Sequence, residues 1–113
     1  MKSLELASME IISMVGTARS YYIEAIRSAK IGKFADAREQ TRQGDEAFLK
    51  GQKVHSQLLQ QDANGVLTTV TLLLAHAEDQ LMSAETFRIL SQELIDLYQQ
   101  TLSLGNGNND ESV

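Results

Sequence analysis

The chain has 113 residues, 42% hydrophobic and 22% charged, which suits one globular domain and excludes a disordered chain. It contains no cysteine, so disulfide scaffolds, thiolate zinc sites and cysteine nucleophiles are excluded. The net charge of −5, with no lysine or arginine cluster, argues against a nucleic-acid or anionic-membrane partner.

There is also no proline, which favours long uninterrupted helices because nothing removes a backbone donor or kinks a turn. The first residues, MKSLELASMEIISM, are broken by Glu5 and Glu10 and lack the continuous apolar core of a signal peptide. No apolar run approaches the ~20 residues a membrane span needs. A cytoplasmic protein without direct membrane insertion is expected.

The first helical segment, about Ser3 to Lys30, carries Met9, Ile12, Val15, Tyr22 and Ile26 at spacings of three, four and seven. Gly32, within Lys30-Ile31-Gly32-Lys33, can adopt the left-handed conformation that ends it. The second segment, about Lys33 to Gln61, sets Phe34, Ala37, Thr41, Phe48 and Leu58 on one side. Arg38, Arg42, Glu46 and Lys50 on the other side are spaced for contacts one turn apart. Turn formers cluster at Gln61-Asp62-Ala63-Asn64-Gly65.

The third segment, about Val66 to Leu102, is the longest and most apolar. Glu78, Glu85, Gln92 and Asp96 fall in one polar stripe when the helix is turned by ~100° per residue. Val66, Val70, Leu72, Leu73, Leu81, Phe87, Leu90, Leu94, Ile95 and Tyr98 occupy most of the remaining circumference. An arc that wide needs cover on more than one side, which two neighbouring helices cannot supply. The expected fold is therefore all-α: a three-helix antiparallel bundle, up-down-up, assembling as a homo-oligomer around this helix. Residues 1–103 form the domain, and 104–113, rich in glycine and asparagine, are expected to be a disordered tail.

Within the third segment, His76 lies on the apolar side, roughly opposite the glutamate stripe. Asp79 and Ser83 continue its half of the helix, while Glu78 turns toward the polar stripe. A histidine among leucines is compatible with a hydrogen-bonded core residue. An aspartate one turn beyond it, costly in an apolar setting unless paired or coordinated, suggests a site at an oligomer seam. There imidazole can act as a phosphoryl acceptor, or imidazole and carboxylate can bind a divalent metal. His55, in Lys53-Val54-His55-Ser56-Gln57, is read as a surface or structural residue. A di-iron carboxylate bundle is excluded, since Leu73 and Gln52 stand where Glu-x-x-His pairs need glutamate.

"LLLAHAEDQLMSAE" resembles the motif V-H-A-[QE]-D-[HQ]-L-M of the lactose/cellobiose-class IIA component of the bacterial sugar phosphotransferase system. "IISMVGTARSYYIEAIRSAKIGKFADAREQ" is similar to that family's first helix and turn, "HSQLLQQDANG" to the end of its second helix and "ELIDLYQQ" to the end of its third. The resemblance implies a homotrimer with a parallel central coiled coil of the third helix. It implies that His76 takes a phosphoryl group from HPr and passes it to a cysteine of the cognate IIB component. The IIC membrane component then couples transfer to sugar uptake. Asp79 matches an aspartate that binds a divalent metal, Mg²⁺, at the three-fold axis; Glu78 and Gln80 are neighbours of the phosphoryl site. Glu78 stands where glutamine is frequent, Gln80 where a second histidine is frequent, and Gln52 and His55 where histidine and then glutamine are frequent. The competing reading, of another class, is a non-catalytic trimeric bundle serving as adaptor or scaffold.

Overall fold

The computed structural model describes residues 3–65 and 70–111, with side chains through Leu104. Three helices make up the described residues: α1 (Leu4–Lys30), α2 (Phe34–Ala63) and α3 (Leu72–Glu111). Among the described residues there is no strand. The bundle is a rod of 69 × 20 × 17 Å.

Local chemistry sets most helix ends. Ser3 caps α1, its hydroxyl accepting the Leu6 N–H at 3.1 Å. Gly32, at φ +78°, ends it: the Gly32 N–H donates to the Ala29 carbonyl and the Lys33 N–H to the Ser28 carbonyl. Arg27 and Lys30 in the last turn complement the negative end of the helix dipole. Gly65, at φ +75°, follows the end of α2. These are the two stops expected from the sequence.

α3 begins later than expected. Thr71 is its cap, with its hydroxyl 3.0 Å from the Leu74 N–H and its carbonyl 3.0 Å from the Ala75 N–H. Val70 is therefore outside the helix, and residues 66–69, where the expected start fell, lie outside the described residues. At the other end α3 continues as helical backbone to Glu111, through positions 104–111 of the expected tail; residues 112–113 are again outside the described set. Glycine and asparagine are weak helix formers, so this last stretch takes its geometry from the helix before it.

The core stripe of α1 consists mostly of small residues: Ala7, Ile11, Val15, Ala18, Tyr22, Ala25 and Ala29 are buried. Met9, expected on this stripe, is exposed instead. Small side chains let α1 lie close to α2, where Gly44 and Gly51 are also buried. A Cβ added at Gly44 would come within 2.7 Å of the Tyr22 ring, and one at Gly51 within 2.7 Å of a Val15 methyl. α1 packs against both other helices, while α2 and α3 touch each other only sparingly.

Two apolar clusters result among the described residues. The larger joins Ile11, Val15, Phe48, Leu58, Leu74 and Leu81, and the smaller joins Ala25, Ala29, Ala37 and Ile95. Tyr22, itself fully buried, donates its hydroxyl to Asp45 at 2.7 Å, and the Arg88 guanidinium lies 5.6 Å from the centre of the Phe48 ring. Buried Ser8 and Ser91 satisfy their hydroxyls on the carbonyls of Leu4 and Arg88 within their own helices.

Two substitutions test the close approach. Gly44→Ala should destabilise the fold, because overpacking of about 1–3 kcal/mol outweighs a helix-propensity gain of about 1 kcal/mol. A methyl group added at Gly16 in α1 would meet nothing within 4 Å, so Gly16→Ala should stabilise by that gain alone. Urea titrations of both variants check the opposite signs. Tyr22 gives a pH prediction. Burial, and then its hydrogen bond to Asp45, pushes the phenol well above its ordinary value. Its contribution to stability is thus full below an unfolded pKa of ~10 and declines as pH rises above that. Tyr22→Phe should cost about 1 kcal/mol at pH 7 and should flatten the alkaline loss of urea midpoint relative to wild type.

Candidate functional site

The core-facing positions of α3 are Leu74, Ala77, Leu81, Ala84, Ser91 and Ile95, all buried. His76 stands next to Ala77 in sequence and so is turned about 100° from that face. It is exposed in the protomer, as is Asp79. Neither residue is therefore a core group of the single chain. The apolar side on which the sequence set them divides in two, one part facing α1 and α2 and one part facing outward.

The outward part forms a continuous line. Leu72, His76, Asp79, Ser83, Thr86, Leu90, Leu94, Leu97, Thr101 and Leu104 follow one another at steps of three and four residues. Its leucines are uncovered in the protomer: Leu72 is 89% exposed, Leu90 52%, Leu97 55% and Leu104 69%. Apolar side chains at this spacing are the pattern that a coiled-coil partner covers.

Polar contacts flank His76 on the two sides of α3. Toward α2, the Glu78 carboxylate approaches His55 Nε2 at 3.3 Å, linking two helices that otherwise meet little. Toward α1, Arg19 Nη1 donates to Gln80 Oε1 at 2.9 Å. Gln80 is four residues beyond His76, one turn away on the neighbouring surface of the helix. The expected neighbours Glu78 and Gln80 thus take opposite flanks, each engaged by a different helix.

His55, which the sequence suggests is a surface or structural residue, is part of the first contact. Arg19, part of the second, carries no local signal of a role beyond its place in the α1 motif. Both contacts join residues far apart in sequence, 23 and 61 positions, so no local spacing exposes them. As for a metal, no group of three or more His, Cys, Asp or Glu side chains converges among the described residues. Asp79 is one carboxylate on the outward line, and a single chain offers a cation no cage. No helix among the described residues is long and apolar enough to cross a membrane.

Chemically, the surroundings leave an imidazole open to an incoming reactant. An arginine is held one turn away by a neutral amide, and a nearby carboxylate is engaged on the far flank.

Comparison with known proteins agrees with this architecture. The family model described as PTS system, Lactose/Cellobiose specific IIA subunit, matches residues 6–99. The lichenan-specific phosphotransferase enzyme IIA component of Bacillus subtilis is 35% identical over 99 residues, spanning 88% of this chain and 90% of that protein. The crystal structure of the PTS cellobiose-specific enzyme IIA from Bacillus anthracis superposes with a TM-score of 0.85 at 36% identity, covering 91% of this chain and 95% of the other. The IIA(Chitobiose) chain of the solution structure of the Escherichia coli IIA(Chitobiose)–HPr complex gives a TM-score of 0.78 at 34% identity, over 89% of this chain and 98% of that one. The chain belongs to the lactose/cellobiose-specific IIA family and is a component of a sugar phosphotransferase system.

Proposed function

We propose that this IIA component works as a phosphohistidine relay in the cytoplasm, with His76 as the group that carries phosphate. The donor is HPr and the acceptor is a cysteine of the cognate IIB component. The IIC membrane component then couples transfer to uptake of a lactose- or cellobiose-type sugar. The observation that carries the reading is the open position of His76 on α3, in a family whose relative was solved in complex with HPr.

The chemistry balances with two neutral imidazoles. A ring nitrogen of His76 attacks the phosphorus on HPr in line, and the electron pair of the breaking N–P bond returns to the HPr ring. The other nitrogen of the His76 ring gives up its proton to solvent, while the HPr ring regains one. In the second step a cysteine thiolate of IIB attacks the same phosphorus. The N–P bond breaks, an S–P bond forms, and the His76 ring takes back a proton. The leaving group in each step is an imidazole nitrogen, which is why transfer potential is retained and why water must be kept from the bond.

Assembly belongs to the same proposal. The outward line of α3 supports a homotrimer in which three copies of this helix cover one another's leucines in a parallel coiled coil, with His76, about 40° from Leu72 and Leu90 toward Gln80, at the open edge of the seam. Three Asp79 carboxylates, one per chain, would then face a common axis. Oxygen ligands of this kind suit a hard cation such as Mg²⁺, which would offset their repulsion and has no part in phosphoryl transfer. Donor chemistry fits the ion, although the ligand set is complete only with three chains.

Two experiments test these roles. After incubation with phosphoenolpyruvate, Enzyme I and HPr, intact mass spectrometry should find one acid-labile phosphoryl group on the wild type and none on His76→Ala. Because His76 is exposed, the variant should keep its stability in urea within about 0.5 kcal/mol of wild type. Full labelling of that variant would reject the assignment, and an unlabelled wild type would favour the adaptor reading. Second, Asp79→Leu should keep the trimer and raise its melting temperature, since it exchanges three repelling carboxylates for apolar packing. Chelation should lower the melting temperature of wild type and leave that of the variant unchanged. A monomeric or less stable Asp79→Leu variant would remove Asp79 from the axis.

A further inference from the structure

Resting on the relay reading, we propose that Arg19 binds the phosphoryl group on His76, and that Gln80 holds the guanidinium in readiness for it. The up-down-up order makes α1 and α3 parallel neighbours, and their register brings Arg19 to Gln80 at 2.9 Å across 61 residues of sequence. Gln80 follows His76 by one turn, and helix side chains lean toward the N-terminus. The amide of Gln80, with the guanidinium on it, therefore lies over the turn that begins at His76.

Charge gives the contact its meaning. Residues 73–80, LLAHAEDQ, contain two carboxylates and no cation. A phosphoryl group arriving on His76 brings about two negative charges and three acceptor oxygens into that setting. Arg19 supplies the missing positive charge from the adjacent helix. A guanidinium carries five N–H donors in a planar fork that matches phosphate oxygens, and Gln80 accepts only one of the five at this distance.

The partner's neutrality is the second point. Arg42 is engaged by two carboxylates, Glu39 at 2.8 Å and Glu46 at 3.1 Å, which commit its charge within α2. Arg19 is instead oriented by an amide, which holds the guanidinium without neutralising it. On the opposite flank, His55 engages the Glu78 carboxylate at 3.3 Å. The two contacts thus set a cation on one flank of the reacting turn and restrain an anion on the other.

The test uses the full-length chain with phosphorylated HPr as donor, read by rapid-quench intact mass and by ³¹P NMR of the phosphoprotein. Arg19→Gln should lower the transfer rate at saturating HPr by about 100-fold, the scale of losing one donor to a developing oxyanion, with little change in half-saturation. It should also move the ³¹P resonance of the phosphohistidine. Arg19→Lys, which keeps the charge and loses the fork, should recover part of the rate. Gln80→Met, which leaves Arg19 in place and removes its tether, should slow transfer by roughly fivefold, within the range set by losing preorganisation alone. An Arg19→Gln protein that is labelled within about twofold of the wild-type rate, with an unmoved ³¹P resonance, would overturn this role and leave the relay standing. A wild-type chain that takes no phosphoryl group would overturn the relay and this role together.

Discussion

The close approach of α1 to α2 is the constraint on which the rest of the molecule depends. It is built from absent atoms: glycines at 44 and 51 on α2 accept the Tyr22 ring and the Val15 side chain of α1. Once α1 is seated there, its alanine face is left to receive α3, and α1 becomes the middle element of the bundle. The register of α3 on α1 then follows from Ile11, Val15 and Ala18 meeting Leu74, Ala77 and Leu81 in one cluster. Arg19 reaches Gln80 as a consequence of that register. A shift of one turn along α1 would carry the arginine away from the turn that begins at His76.

The same packing decides what α3 leaves uncovered. A helix held by α1 on one flank and touched lightly by α2 on the other can bury only part of an apolar circumference. The remainder becomes the outward line of leucines in which His76 and Asp79 are embedded. The proposed reactive and assembly residues are thus one turn apart on a single surface. Arg19 approaches that surface from α1, and the outward leucines continue it toward the region where copies of the helix can meet. A group that must be approached by two different proteins gains from such a position, because rigid helices hold it while each partner can still reach it.

The helix count, the stop at Gly32, the turn before Gly65 and the histidine motif were all legible in the sequence, since each has a local cause. The alanine stripe of α1 was much less legible. Ala7, Ala18, Ala25 and Ala29 contribute little to an apolar pattern, so the larger Met9 drew the expected face toward a residue that is exposed. The start of α3 at Leu72 depends on the hydroxyl of Thr71 capturing a backbone donor, which apolar periodicity does not encode. That His76 is exposed in the protomer could not be read from its leucine neighbours either. An apolar arc does not say which part faces inward until Ala77 and Ala84 are known to be buried. The Arg19–Gln80 and His55–Glu78 contacts are products of tertiary register, and no spacing within one helix announces them.

Two histidines are present, on different helices, and the proposed relay uses one of them. The most direct test is a long-range ¹H–¹⁵N spectrum of the imidazole nitrogens, recorded before and after phosphorylation by phosphoenolpyruvate, Enzyme I and HPr. A relay through His76 requires a phosphorus-coupled nitrogen in that ring alone, with His55 uncoupled. Phosphorus coupling in the ring of His55, or in neither ring while the mass rises by one phosphoryl group, would contradict it.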